Sequence, residues 1–304
     1  MVVLDNVSNG YRDVLLPLAC EDELLRTAVG VVASQHLALY NPSFQSAADE
    51  GRAVIISRLR RDSLQASPDR VFNLSTWATL IVLLVGETIT GSSEYTHLLQ
   101  TLMCLIQNVG QIAPSAAHDF LNQQSHMLVH TICPSSLPFS HFYLRFEFLG
   151  QPMLGEAHGV QALRLPLDHY LDWTYYDLPS DSEHHKLLHI SRMAFIKASQ
   201  IYLGRVTSNQ DQWGLLEELK QLVSQIDPEQ MGSHALVWVC FIAAADSTDP
   251  EHRRFFVDRM NRVFTKTKFH NISAGIQSLP AIWSQQASGR WTQNLAKLAP
   301  TLIM

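Results

Sequence analysis

The sequence predicts an all-α fold, a multi-helix globular domain of packed antiparallel helices with a long irregular central segment. Apolar residues recur at spacings of three and four along nearly the whole chain, whereas strand-type alternation is scarce. The chain has 304 residues, of which 46% are hydrophobic and only 16% charged. At that length roughly 75% of the unfolded surface is buried without help from disulfides or metal. The apolar excess leaves room for a pocket or a subunit interface inside one domain over residues 1–304.

The elements follow in order. Leu24, Leu25, Ala28, Val31, Val32, Gln35, His36 and Leu39 share one helical face. Glu21, Asp22 and Glu23 lead that helix, where carboxylates meet the positive end of its dipole. Asn41-Pro42 ends it, because the residue before proline is pushed out of the α region. A third helix is predicted from Phe44 to Gln65, with Ala48, Val54, Ile55 and Leu59 inward and arginines outward. Asn73 or Ser75 caps a fourth, through Trp77, Leu80, Leu84 and Ile89, which stops near Gly91. A fifth runs from Glu94 to about Val109, with Gly110 as its stop. Further helices are expected near Ala116–His130, Phe139–Phe148, Leu187–Arg205 and Asp211–Gln225, then Ser233–Ala245, Pro250–Lys268 and Ile272–Gln286.

Between Gln151 and Asp181 the helical pattern fails, broken by Pro152, Gly155, Gly159, Pro166 and Pro179. Loops of this length are functional or disordered, and the density of aromatics argues for order. An irregular stretch over about 151–186, packed across the helices as a lid, is the expectation.

Charge limits the function classes. With 22 basic against 28 acidic residues the net charge is −6. Nonspecific nucleic-acid binding depends on Lys and Arg neutralising phosphates, so this balance argues against it. Cys20, Cys104, Cys133 and Cys240 lie far apart with no Cys-x-x-Cys pair. Three of them fall in apolar helical stretches, where a thiol acts as a small hydrophobe, and a reducing intracellular compartment is expected. No secretory leader is evident. The most apolar run, Trp77 to Gly86, is about half the roughly 20 residues a membrane span needs.

Several constellations admit a chemical and a structural reading. His185 and His189, four apart beside His184, have the spacing of a two-histidine metal site, but lack the glutamate between them that zinc proteases use; an exposed helix start accounts for them equally, and no metal is expected. Asp168 and Asp172, among Tyr170, Trp173, Tyr175 and Tyr176, have the types for a divalent ion or an acid–base pair, or for capping. The same aromatics suit the lining of an apolar ligand site. Arg259, Arg262 and Lys266 form a basic stripe opposite Phe256, Met260 and Val263, for an acidic partner, nucleic acid or solvent; Arg58, Arg60 and Arg61 are read the same way. Nucleophile-elbow, phosphate-loop and dinucleotide signatures are absent from the sequence, and no cofactor is expected.

Four motifs in order carry a resemblance. Leu15-Leu16-Pro17-Leu18-Ala19 leads through to Ala38, and Tyr95-Thr96-His97-Leu98-Leu99 precedes Leu105-Ile106. Ala198-Ser199-Gln200-Ile201-Tyr202-Leu203-Gly204-Arg205-Val206 follows, and then Ala235-Leu236-Val237-Trp238-Val239-Cys240-Phe241-Ile242-Ala243-Ala244-Ala245 before Arg253-Arg254. This order resembles the fungal-specific transcription factor domain, the regulatory half of fungal zinc-cluster activators, with Tyr95 where that family usually has Trp. Family members usually begin with six clustered zinc-binding cysteines, and this sequence does not supply them.

The resemblance implies a transcription-regulator-like protein, nuclear or cytoplasmic and not secreted. It would respond to an apolar small molecule or a coregulator protein within a fungal secondary-metabolite pathway, without direct DNA binding by this chain. Homodimer formation belongs to the same expectation. The alternative is the same fold repurposed in fungal polyketide or terpenoid biosynthesis, as a binding protein or a cofactor-independent cyclase or pericyclase. A shaped apolar cavity suffices for such a reaction. Tyr143, Phe146, Trp173, Tyr176, Trp238 and Phe241 are the residues expected to contact a ligand in either case.

Overall fold

Asp22 turns the chain into its first long helix. Its backbone is extended, and its carboxylate accepts a 2.8 Å hydrogen bond from the Leu25 N–H, satisfying one of the free donors at the helix start. The computed structural model describes residues 11–65, 74–112, 148–165, 182, 184–208, 212–286 and 289–303. Among the described residues every regular element is helical. The chain divides into two units.

The first unit holds α1 (Leu16–Glu21), α2 (Glu23–Ala38), α3 (Gln45–Gln65), α4 (Leu74–Thr90) and α5 (Tyr95–Ile112). The face of α2 predicted to turn inward does so through Leu24, Leu25, Ala28, Val31 and Gln35. It packs against α1, α3 and α4. Gly86 permits the closest approach of α4, since a side chain there would collide with Gln35. Arg52 of α3 reaches the buried carboxylate of Glu87 and also Glu94 at 2.7 Å. A carboxylate with no exposure needs such a partner.

In three places this unit departs from the sequence reading. Val54 was expected inward but is 60% exposed, because Ala48, Arg52 and Ile55 occupy the inner arc at spacings of four and three. Helix α5 runs through Gly110 to Ile112; glycine stops a helix only where the chain turns left-handed, as it does at Gly91 with φ 69°. Cys104, in an apolar stretch, is exposed, as is Cys20.

The second unit holds α6 (Glu156–Leu163), α7 (His184–Thr207), α8 (Trp213–Ser224), α9 (Val237–Asp246), α10 (Pro250–Thr267), α11 (His270–Gln285) and α12 (Leu295–Leu298). Every residue of α9 is buried, and α7, α10 and α11 surround it. A helix apolar on all sides belongs at a centre. Helix α8 packs on α7 and α10, and α6 packs on α7. Asp249 caps α10, accepting from the Glu251 N–H at 2.6 Å, with Pro250 in the first turn. Lys268 closes that helix in a left-handed conformation, φ 59°.

The irregular central segment is shorter at its start than predicted. Residues 148–154 are helical, and α6 follows across Gly155 and Gly159. The glycine that was read as a breaker is there for packing. A Cβ on Gly159 would lie 2.6 Å from the Tyr202 hydroxyl and 2.9 Å from Pro152 Cα. The helix expected near Ala116–His130 and the Asp168–Asp177 stretch lie outside the described residues.

Candidate functional site

The most concentrated polar chemistry in the second unit lies at one end of α9. Asp246 follows a run of three alanines and is buried. Its carboxylate accepts from Arg205 Nε at 2.6 Å and Nη2 at 3.1 Å. Gln212 Nε2 at 3.0 Å and Trp291 Nε1 at 3.0 Å complete its acceptor sites. Gln212 also donates to the Ile201 carbonyl at 2.9 Å. One carboxylate thereby ties α7, α9, the chain before α8 and the 3₁₀ turn Trp291–Asn294.

A second knot adjoins it through Tyr202 and Trp291, whose rings meet edge to face at 5.8 Å. Glu156, in the first turn of α6, accepts from Arg290 at 2.9 Å and from the Thr292 hydroxyl. Arg290 also donates to the Val206 carbonyl at 2.6 Å. The Tyr202 hydroxyl is buried with no hydrogen-bond partner among the described residues. Burial first, and the Glu156 charge second, raise its pKa above the ordinary value. The tyrosine stays neutral and carries no base chemistry.

Deeper along α9, Trp238 and Phe241 are fully buried. The Trp238 ring lies 5.4 Å from Phe148 and stacks on Phe195 at 6.1 Å, and its indole N–H has no acceptor among the described residues. These are the two ligand-contact candidates that the structure describes. Tyr143, Phe146, Trp173 and Tyr176, with Asp168 and Asp172, lie outside the described residues.

Between α9 and α10 is a small cleft with room for about one water, lined by Pro228, Ser233, Leu236, Val237, Cys240, Arg259, Met260 and Val263. Burial pushes the Cys240 thiol up to about 11, although Arg259 beside it pulls the other way. Such a thiol is unreactive at neutral pH. Arg259 corrects the basic stripe of the sequence reading: it is 8% exposed and donates to the Ile226 carbonyl. Arg262 and Lys266 do face outward, on Glu229. The signal was present in the spacing, because 256, 259, 260 and 263 stand at i, i+3, i+4 and i+7, which is one core face.

Sequence reasoning also passed over His252. It is buried, with Nε2 2.9 Å from Glu217 Oε2 and the Trp213 ring 5.5 Å away. That hydrogen bond is the first cause holding the Glu217 carboxyl below its ordinary pKa. His185 and His189 are exposed on the first turns of α7. Among the described residues no three His, Cys, Asp or Glu side chains are grouped to hold a metal ion. No described helix is long and apolar enough to cross a membrane.

The polar knot explains why the motif residues stand where they do. Arg205 of one motif joins α7 to Asp246 of α9, Trp238 of the next stacks on Phe195 of α7, and Tyr202 meets Trp291. No curated protein and no solved structure matches the chain. The family model of the fungal specific transcription factor domain matches residues 161–302, a span that includes Arg205, Gln212, Asp246 and Trp291. Over that span, within its second unit, the chain is similar to the fungal specific transcription factor domain family.

Proposed function

We propose that the chain acts as one regulatory domain over residues 1–304, passing a small-molecule or coregulator signal to transcription without touching DNA itself. The family match over residues 161–302 carries the transcription-regulator-like part. The net charge of −6 supports regulation without direct phosphate contact. What supports a ligand is the Trp238 indole N–H, a buried donor in an aromatic cluster without an acceptor among the described residues. Buried donors are rarely left unmatched. Tyr143, Phe146, Trp173, Tyr176, Trp238 and Phe241 are proposed to contact an apolar guest. A fungal secondary-metabolite pathway, and a nuclear or cytoplasmic site of action, belong to the same proposal.

The test fuses the full chain to a heterologous DNA-binding domain in a fungal host carrying a reporter. Reporter output is expected to change, and to shift when hydrophobic metabolites are supplied. An unchanged reporter under every condition would remove the regulatory reading. For the ligand, fluorescence of anilinonaphthalene sulfonate reports an apolar site. Alanine at Trp173 and Tyr176 is expected to reduce dye binding with helicity unchanged, and equal binding would discard those two residues.

A further inference from the structure

Helix α3 (Gln45–Gln65) presents an outer stripe that its core contacts leave bare. Its inner arc is committed: Ala48 and Ile55 are buried, and Arg52 grips Glu87. Arg58 reaches Glu23 at 3.2 Å. On the opposite side Ala47, Glu50, Val54, Ser57, Arg61 and Leu64 are all exposed, Leu64 at 76%. Single exposed apolar residues need no explanation. These six, three apolar (Ala47, Val54, Leu64) and three polar (Glu50, Ser57, Arg61), succeed one another at steps of three, four, three, four and three. That is the spacing of a helix that packs along another helix, with polar positions in it that set register at a cost in stability.

The chemistry of the seam reads the same from both ends. Laid antiparallel against itself about a two-fold axis between residues 55 and 56, it sets Ala47 opposite Leu64, Glu50 opposite Arg61 and Val54 opposite Ser57. Each match occurs twice, as a two-fold interface requires. Small side chains meet large ones, and acid meets base. Laid parallel in register, the stripe would set Glu50 on Glu50 and Arg61 on Arg61, with repulsion at both. Arg61 has no ion pair among the described residues, and Glu50 accepts only a local 2.9 Å bond from Ser46.

We propose that α3 pairs antiparallel with α3 of a second copy of this chain, the Glu50–Arg61 contacts setting direction and register and Val54 and Leu64 supplying apolar burial. A helix of this length spans about 30 Å. One helix pair of that size falls at the low end of specific interfaces, below about 1,200 Å². The dimer is therefore reversible and concentration-dependent, and high salt weakens it.

Sedimentation velocity on the full chain, from about 1 to 200 μM, tests this in the range where such small interfaces dissociate. The wild type is expected to pass from monomer to dimer. Glu50→Arg and Arg61→Glu should each weaken the dimer by roughly tenfold or more, since each sets like charges together twice. The double variant Glu50→Arg/Arg61→Glu should recover affinity to within a few-fold, and Val54→Asp should leave monomer only. All three positions are exposed, so circular dichroism is expected to show an unchanged fold. A chain monomeric throughout would overturn the proposal. So would a dimer indifferent to Val54→Asp and the single reversals, or single reversals that the double variant fails to rescue.

Discussion

Asp246 is the residue on which the second unit turns. Its carboxylate receives four hydrogen bonds from three side chains, two of them from the Arg205 guanidinium. Breaking a buried ion pair by removing one member costs about 3–5 kcal/mol. Asp246→Ala is expected to lose that much in urea unfolding, with Arg205→Ala close behind. A double replacement by apolar side chains of similar volume, Arg205→Met with Asp246→Leu, should lose less than Asp246→Ala alone. A larger loss would show that the hydrogen bonds to Gln212 and Trp291 matter more than the charge pair. Tyr202 sits beside this knot and behaves in the opposite way. Its hydroxyl is buried and unbonded among the described residues, so Tyr202→Phe is expected to be neutral or stabilising by about 1 kcal/mol. A marked loss would mean that the hydroxyl has a partner in solution.

At the scale of elements, periodicity revealed the helices and punctuation misled. The inward face of α2, the stop at Gly91 and the cap of α10 all follow from local chemistry that a sequence displays. Helix α6 was hidden because Gly155 and Gly159 look like breakers, whereas Gly159 is a contact point that only the tertiary fold defines. The outward turn of Val54 and the inward turn of Arg259 share one cause: each was assigned by hydrophobicity, and helical phase overrode it. The polar knot was illegible for another reason. Glu156, Arg205, Asp246 and Trp291 are brought together across a separation of more than one hundred residues, from 156 to 291, and no local pattern links them. The contact at Gly159 can be measured. Gly159→Ala is expected to cost about 1–3 kcal/mol through overpacking against Tyr202 and Pro152. Adding Tyr202→Phe should restore only part of it, since Pro152 Cα is backbone and cannot rotate away. At the end of α10, Lys268→Gly should stabilise the protein by roughly 1 kcal/mol by removing a left-handed conformation from a residue with a side chain. Thermal midpoints of the three variants decide both points.

For the whole molecule, the titrating groups predict how stability depends on pH at both ends of the scale. On the acid side, Glu217 is held below its ordinary pKa first by its bond to His252, and Asp249 by the Glu251 N–H at the α10 cap. A depressed carboxyl stabilises the fold above its unfolded pKa, and that contribution is lost as pH falls through the folded value. Both groups are exposed enough for water to screen most of the effect, so the acid limb should be shallow. The alkaline side differs because the responsible group is buried. The Cys240 thiol rises to about 11 in the fold from an ordinary value of 9.0. Between those values the unfolded chain has released a proton that the folded chain still holds, so stability falls as pH rises. One such group contributes at most about 1.4 kcal/mol per pH unit. Lysines and tyrosines titrate in the same range, so the comparison must be between proteins. Wild type and Cys240→Ala share every other group, and the variant should show the flatter decline when unfolding free energies are measured at pH 8, 9 and 10. It will start lower at pH 8, having lost a buried side chain, which leaves the difference in slope as the diagnostic quantity. Parallel slopes would mean that the thiol between α9 and α10 is reached by water, and alkylation of Cys240 in the native protein at pH 8 would then be fast.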